Sequence, residues 1–84
     1  MDIEKLKTEI FEEMKDLIFN FMGIDKSEIR LKSRLYEDFG IESADMLTVV
    51  AAIEKKHQFK FDDTIWEVQS IEDALNVWIR HLQQ

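Results

Sequence analysis

The sequence predicts an all-α fold, a four-helix bundle with a long loop between helices 1 and 2 and a short third helix. Three observations lead there. Apolar residues recur at intervals of three and four in the N-terminal, central and C-terminal stretches, the spacing that gathers them on one helix face. Asp, Ser and Gly stand at the ends of those stretches, where helices start and stop. The only scrap of strand-like alternation, Phe59-Lys60-Phe61, is too short to form a sheet. With no repeat or low-complexity tract in its 84 residues, the chain is expected to be one domain over 1–84, just above the size at which a single core becomes thin.

The first helix begins after Asp2, a suitable N-cap, and stops at Gly23. Ile3, Leu6, Ile10, Met14, Leu17, Ile18 and Phe21 form its apolar stripe over about five turns. Phe11 and Phe19 fall beside that stripe and widen it, so the helix is expected to meet two neighbours.

Residues 24–41 form a long connection. Ile24, Ile29, Leu31, Leu35, Tyr36 and Phe39 recur among charges without a sustained helical or strand period, and they are expected to tack the loop down. Asp25 with Glu28 three residues on can make a short capped turn. Leu35 is expected to reach the core and hold the approach to Gly40. Lys26, Arg30, Lys32 and Arg34 make this segment locally basic, which reads as a solvated loop with ordinary charges.

After the Gly40 turn, good helix formers run from Asp45 to Lys56 without Gly or Pro, about three turns of helix. Met46, Val49, Val50 and Ile53 share the face that should enter the core. Ala44, Leu47 and Ala51 lie on an adjacent face with Asp45, Thr48 and Glu54 beside it. Amphipathicity leaves that second stripe open, either as the edge of a wide buried face or as a small docking strip flanked by acids. Ser43 sits at the first turn, where unpartnered backbone N–H groups and the helix dipole favour a phosphate. Serine is also a leading N-cap, worth roughly 0.5 to 2 kcal/mol over alanine, so position alone allows a cap or a modified hydroxyl.

Phe59 and Phe61 are expected to plug the core from an extended linker. Asp62 is a fair N-cap for a short helix through about Val68, and Ser70-Ile71-Glu72-Asp73 resembles a capping box with Asp in the last place. The closing helix gathers Ile71, Ala74, Leu75, Trp78 and Leu82 on one face. Trp66 and Trp78 are expected in the core or at its edge, by size and helix position.

The run Asp38-Phe39-Gly40-Ile41-Glu42-Ser43, followed by the apolar helix through Ile53-Glu54-Lys55-Lys56, resembles the acyl carrier protein family. The hallmark of that family is an Asp-(Leu/Phe)-Gly-x-Asp-Ser-Leu segment, and the order of helices and loop extends the resemblance over nearly the whole chain. It implies that a phosphopantetheinyl transferase attaches 4'-phosphopantetheine from coenzyme A to Ser43, within a motif marked by Asp38, Gly40 and Glu42, using a metal ion bound mainly by the transferase. An acyl group then rides as a thioester on the arm. The strip of Ala44, Asp45, Leu47, Thr48, Ala51 and Glu54 becomes the docking surface for acyl-loading and acyl-using enzymes with basic faces, of fatty-acid, polyketide or related biosynthesis. Met46, Val50, Ile53, Phe61 and Trp78 are expected to line a core that opens for the chain.

Two residues depart from the hallmark. Glu42 replaces the usual aspartate and is not among the favoured N-caps, so either Ser43 caps the helix itself or the helix start is looser. Ala44 replaces the usual leucine and removes an apolar handle for modifying enzymes, which fits a specialised carrier. An aminoacyl or peptidyl carrier is an alternative, although many of those have paired glycines where this chain has Phe39-Gly40-Ile41. An arm-less interaction module with the carrier fold is another, for which Glu42 and Ala44 are the evidence.

Composition narrows the classes further. A formal charge of −7 argues against nucleic acid, whose phosphates need a basic surface, and favours basic protein partners. No cysteine means no disulfide framework and no thiol of the protein's own. No apolar run approaches a membrane span, and the N-terminus lacks a signal-peptide pattern, so a cytoplasmic monomer without stable membrane insertion is expected. His57 and His81 lie on different elements with no zinc spacing, Asp25 and Asp62-Asp63 lack the pattern of a calcium loop, and no metal is expected. His57 is too far along the helix to serve Ser43 as a base, so no enzyme activity is expected.

Overall fold

The computed structural model describes residues 2–83. Four α-helices and two 3₁₀ turns follow one another: α1 (Ile3–Met22), a 3₁₀ turn (Lys26–Glu28), α2 (Leu35–Phe39), α3 (Ser43–His57), a second 3₁₀ turn (Asp63–Glu67) and α4 (Ile71–Leu82). The all-α class stands. Two elements differ from expectation in detail. The short helix expected after Asp62 is wound as 3₁₀, and the long connection contains α2, a single helical turn with no periodicity to announce it.

Capping chemistry sets the ends of the long helices. Asp2 Oδ1 accepts the N–H groups of Glu4 and Lys5 at 3.0 and 3.3 Å, and Gly23 closes α1 at φ 72°, a left-handed conformation that glycine adopts without strain. Ser70 and Asp73 form the reciprocal capping box of α4, with Ser70 Oγ accepting the Asp73 N–H at 3.1 Å and Asp73 Oδ2 accepting the Ser70 N–H at 3.2 Å.

The packed faces follow the middles of the apolar stripes; Ile3 and Phe21, expected on the buried stripe of α1, are exposed near its two ends. Helix α1 buries Ile10, Met14 and Ile18 and packs on both α4 and α3, as its wide face requires. Phe11 joins the core, but Phe19 is exposed, with Lys26 Nζ 5.7 Å from its ring centre. Eight residues advance a helix by two turns and roughly 80°, so the neighbours that cover Phe11 leave Phe19 outside. Trp78 and Ile71 of α4 lie at the centre with 0% exposure. Phe59 and Phe61 pack against this core from the linker, their rings 4.8 Å apart edge to face, each about 5.5 Å from the His81 ring.

The connection is held by side chains and by backbone. Ile29, Leu35 and Ile41 are buried anchors, whereas Leu31 and Tyr36, expected to tack the loop down, face solvent. Main-chain bonds do the remaining work: Leu35 N–H donates to Gln69 O at 2.9 Å, Ile71 N–H to Ser33 O at 3.0 Å and Glu72 N–H to Leu31 O at 2.9 Å. These bonds stitch the loop antiparallel to the entrance of α4, around a bridge between Arg34 and Ser70. No segment longer than a few residues pairs this way, so the stitch adds no sheet.

Asp62 caps the second 3₁₀ turn and makes it acid-sensitive. Its carboxylate accepts the Thr64 N–H at 3.0 Å and the Thr64 hydroxyl, and it pairs with Arg80 Nη2 at 3.0 Å. The Thr64 hydroxyl bond foremost, then the Thr64 N–H, Arg80 and His81, holds the Asp62 carboxyl below its ordinary value of 3.8. The folded form therefore binds this proton more weakly than the unfolded form, and the stabilisation is present above pH 3.8 and lost as pH falls through the depressed value. Asp62→Asn is expected to melt with a shallower loss of midpoint below about pH 4 than the native chain. Equal acid slopes for the two would count against this cap.

Candidate functional site

The junction of α2 and α3 is built by short-range bonds. A one-turn helix has no independent stability, because nucleation fixes several residues for few bonds. Here Asp38 Oδ2 accepts the Arg34 N–H at 2.6 Å, across the start of the turn it belongs to. Gly40 ends the turn at φ 67°, ψ 24°, with its N–H donating to Tyr36 O at 2.8 Å, and the Ile41 N–H returns to Leu35 O at 2.9 Å. Asp38 and Gly40 thus have structural tasks inside the motif. A Cβ on residue 40 would meet nothing within 4 Å, so Gly40→Ala costs only the left-handed backbone, about 1 to 2 kcal/mol. A denaturation midpoint unchanged by that substitution would contradict the turn.

The next residues start α3. Ile41 is buried and pins the chain, and Glu42 occupies the N-cap position at φ −99°, ψ 176°. The Glu42 N–H donates to Asp45 Oδ2 at 3.1 Å, and the Met46 N–H closes the first helical bond to Glu42 O at 2.9 Å. Ser43 is therefore the first helical residue and not the cap, which resolves the choice left by the sequence. Its side chain is exposed, and no hydrogen bond engages its hydroxyl among the described residues. The N–H groups of the first turn and the positive end of the dipole lie at the same place.

The second stripe of α3 faces outward. Leu47 is 58% exposed, and Ala44, Thr48 and Ala51 are exposed beside it. Asp45 and Glu54 are half-buried and each holds a backbone group, Asp45 the Glu42 N–H and Glu54 Oε2 the Phe61 N–H at 2.8 Å. A bare leucine among small and polar residues on an otherwise packed helix is an apolar handle.

Two aromatic residues at this site had no signal in the sequence. Tyr36, 65% exposed, and Trp66, 47% exposed, line a pocket of about 250 Å³ that also includes Ser43, Glu42 and Met46. The expectation of Trp66 in the core or at its edge is corrected. In the second 3₁₀ turn Ile65 takes the buried position, which leaves its neighbour outside. Behind this pocket lies a second, interior cavity of about 40 Å³, lined by Met46, Val50, Ile53, Phe61 and Trp78 among others. Leu35, Ile41 and Met46 line both spaces, so one layer of side chains separates the surface beside Ser43 from the core.

No group of three or more His, Asp and Glu side chains able to hold a metal occurs among the described residues, and none of their helices is long and apolar enough to cross a membrane. An exposed, unbonded serine hydroxyl at a helix start, over an apolar cavity and with no cysteine in the chain, fits a protein that receives a group from elsewhere. The family model described as the phosphopantetheine attachment site matches residues 12–77, a span that contains this junction. The chain is similar to the acyl carrier protein of Clostridium acetobutylicum, 30% identical over 76 residues, covering 89% of this chain and 99% of that one. It is also similar to the acyl carrier proteins of the Aster yellows witches'-broom phytoplasma, 38% identical over 67 residues (79% and 88% covered), and of Campylobacter concisus, 31% over 68 residues (80% and 88%). The chain belongs to the acyl carrier protein family. It is a carrier and not an enzyme, and its cofactor is covalently attached 4'-phosphopantetheine.

Proposed function

We propose that Ser43 is the attachment point and that the chain carries an acyl group between enzymes of the cytoplasm as a single carrier domain. The observation that carries this reading is the free Ser43 hydroxyl, relieved of capping by the Glu42 position and exposed at the positive end of α3. The Ser43 oxygen attacks the phosphorus that bears pantetheine in coenzyme A. A new P–O bond forms, the pyrophosphate bond breaks, and adenosine 3',5'-bisphosphate leaves while the hydroxyl proton passes to a base of the transferase. Once attached, the arm supplies the thiol that the cysteine-free chain lacks, and this thiol holds the acyl group as a thioester.

The other residues bind, orient and shelter. The mixed pocket of Tyr36, Glu42 and Trp66 gives the arm both polar and apolar walls beside Ser43, and the interior cavity gives an acyl chain an apolar one. Met14, Met22 and Met46, three of the four methionines, line that cavity, and their unbranched side chains adapt to a changing volume. Leu47 with Ala44, Thr48 and Ala51 offers partner enzymes an apolar contact, and the charge of −7 steers basic faces toward it, the transferase's among them. Intact mass after incubation with coenzyme A and a broad-specificity transferase tests the reading. A gain of one phosphopantetheinyl group supports it. No gain with several transferases, and none on material from the native cell, would overturn it in favour of an arm-less interaction module.

A further inference from the structure

Tyr36 and Trp66 reach the site from different elements, α2 and the second 3₁₀ turn, and both stay exposed. A single exposed aromatic needs no explanation, but these two line one pocket together with Ser43. About 10 to 15 Å³ of open space suffices for one water. By that measure the interior cavity of about 40 Å³ has room for only about three, whereas the pocket of about 250 Å³ is open before anything arrives. Its lining is mixed. Besides the two rings it includes Ile41 and Val68 on the apolar side and Glu37 and Gln69 on the polar side. Both polar residues are exposed, and neither side chain takes part in a hydrogen bond among the described residues.

We propose that Tyr36 and Trp66 form a parking site for the arm, holding its pantoyl end against the protein between deliveries. The inference rests on the reading that Ser43 bears the arm. A phosphate on Ser43 is held at the start of α3, so the next atoms of the arm begin at the pocket that Ser43 lines. Those atoms are a methylene and a carbon bearing two methyl groups, an apolar knob that aromatic rings can cover, followed by a hydroxyl and two amides. The hydroxyl and the amide N–H groups donate, and the Glu37 carboxylate and the Gln69 side-chain carbonyl are acceptors within the same lining. Because the pocket exists before the arm is attached, docking costs the protein little reordering. A partner must then lift the arm off the rings before it uses the thiol, which makes Tyr36 and Trp66 positioning residues for delivery.

The test modifies the native chain with a transferase and coenzyme A whose pantoyl methyl groups carry carbon-13. Intact mass, with Ser43→Ala as control, first places the arm. The methyl resonances are then compared with those of free coenzyme A. Docking is expected to move them upfield through the ring currents and to give cross-peaks to the Trp66 indole, assigned with Trp66→Ala. Taking two methyl groups out of water is worth on the order of tenfold in an equilibrium, so Trp66→Ala and Tyr36→Ala are each expected to lower the docked-to-free ratio by about three- to tenfold. An arm on Ser43 whose methyl groups keep their free positions and show no cross-peak overturns the inference and leaves the attachment reading intact. An upfield shift undiminished in both variants does the same. Free methyl groups together with slower modification of Trp66→Ala also overturn it, and assign the rings to a partner's contact surface. No arm on Ser43 overturns the attachment reading and the inference with it. If a variant resists modification, the cross-peaks of the native chain decide alone.

Discussion

Ser43→Ala is expected to abolish the gain of a phosphopantetheinyl group completely while leaving the fold in place. The loss is absolute because the reaction needs the hydroxyl oxygen as nucleophile, and Thr48, the nearest other hydroxyl on α3, already donates to Ala44 O at 3.4 Å one turn away. Stability is the more discriminating half of this prediction. Were Ser43 the N-cap of α3, alanine would cost about 0.5 to 2 kcal/mol. Glu42 holds that position and the Ser43 side chain is exposed and unbonded, so the cost is that of an ordinary surface change, within about 0.5 kcal/mol. Intact mass and a urea denaturation curve of the same sample separate the two effects. Retained modification would place the arm elsewhere, and a midpoint lowered by a full cap's worth would return Ser43 to a structural role.

Trp78→Ala is expected to be the most damaging single change, at about 3 to 5 kcal/mol. The indole is wholly buried, and the residues that line the interior cavity with it, among them Met14, Ile53, Phe61 and Ile71, come from three helices and the linker, so no single element can collapse into the space it leaves. A domain of this size holds roughly 5 to 15 kcal/mol in all, which makes the loss a large share of the total. Trp66→Ala provides the contrast. Its ring is half exposed at the rim of the Ser43 pocket, and its removal is expected to cost under about 1 kcal/mol. Two tryptophans of equal costs in denaturation would contradict the placement of both.

Much of this architecture could be read from local rules. Asp2, Gly23, Asp62 and the Ser70–Asp73 pair act where their capping chemistry places them, because a cap needs only neighbours within four residues. The stripes of α1, α3 and α4 bury the residues at their centres, since periodicity is a property of the helix itself, whereas Ile3 and Phe21 at the two ends of the α1 stripe stay exposed. Even the lining of the cavity, Met46, Val50, Ile53, Phe61 and Trp78, follows from two such stripes and a linker brought face to face.

Other features depend on partners distant in sequence. Helix α2 exists because Ile41 and Leu35 are buried and residues 31–35 are stitched to residues 69–72, bonds that span more than thirty positions. Phe19 and Trp66 are exposed for a rotational reason: the packing partners of α1 and of the second 3₁₀ turn cover Phe11 and Ile65 instead. Glu54 looked like a docking acid and holds the Phe61 N–H as well, a bond that requires the linker to fold back along α3.

The sequence by itself determined the ends of α1 and the capping box of α4, the centres of the buried stripes, the absence of a thiol and the motif that points to Ser43. Each of these is set by the residue type and its near neighbours. Only the tertiary structure decided that Tyr36 and Trp66 stand beside the serine and that Trp78 carries an unsatisfied donor in the core. Those outcomes depend on how elements distant in the chain rotate and dock, which no local pattern encodes.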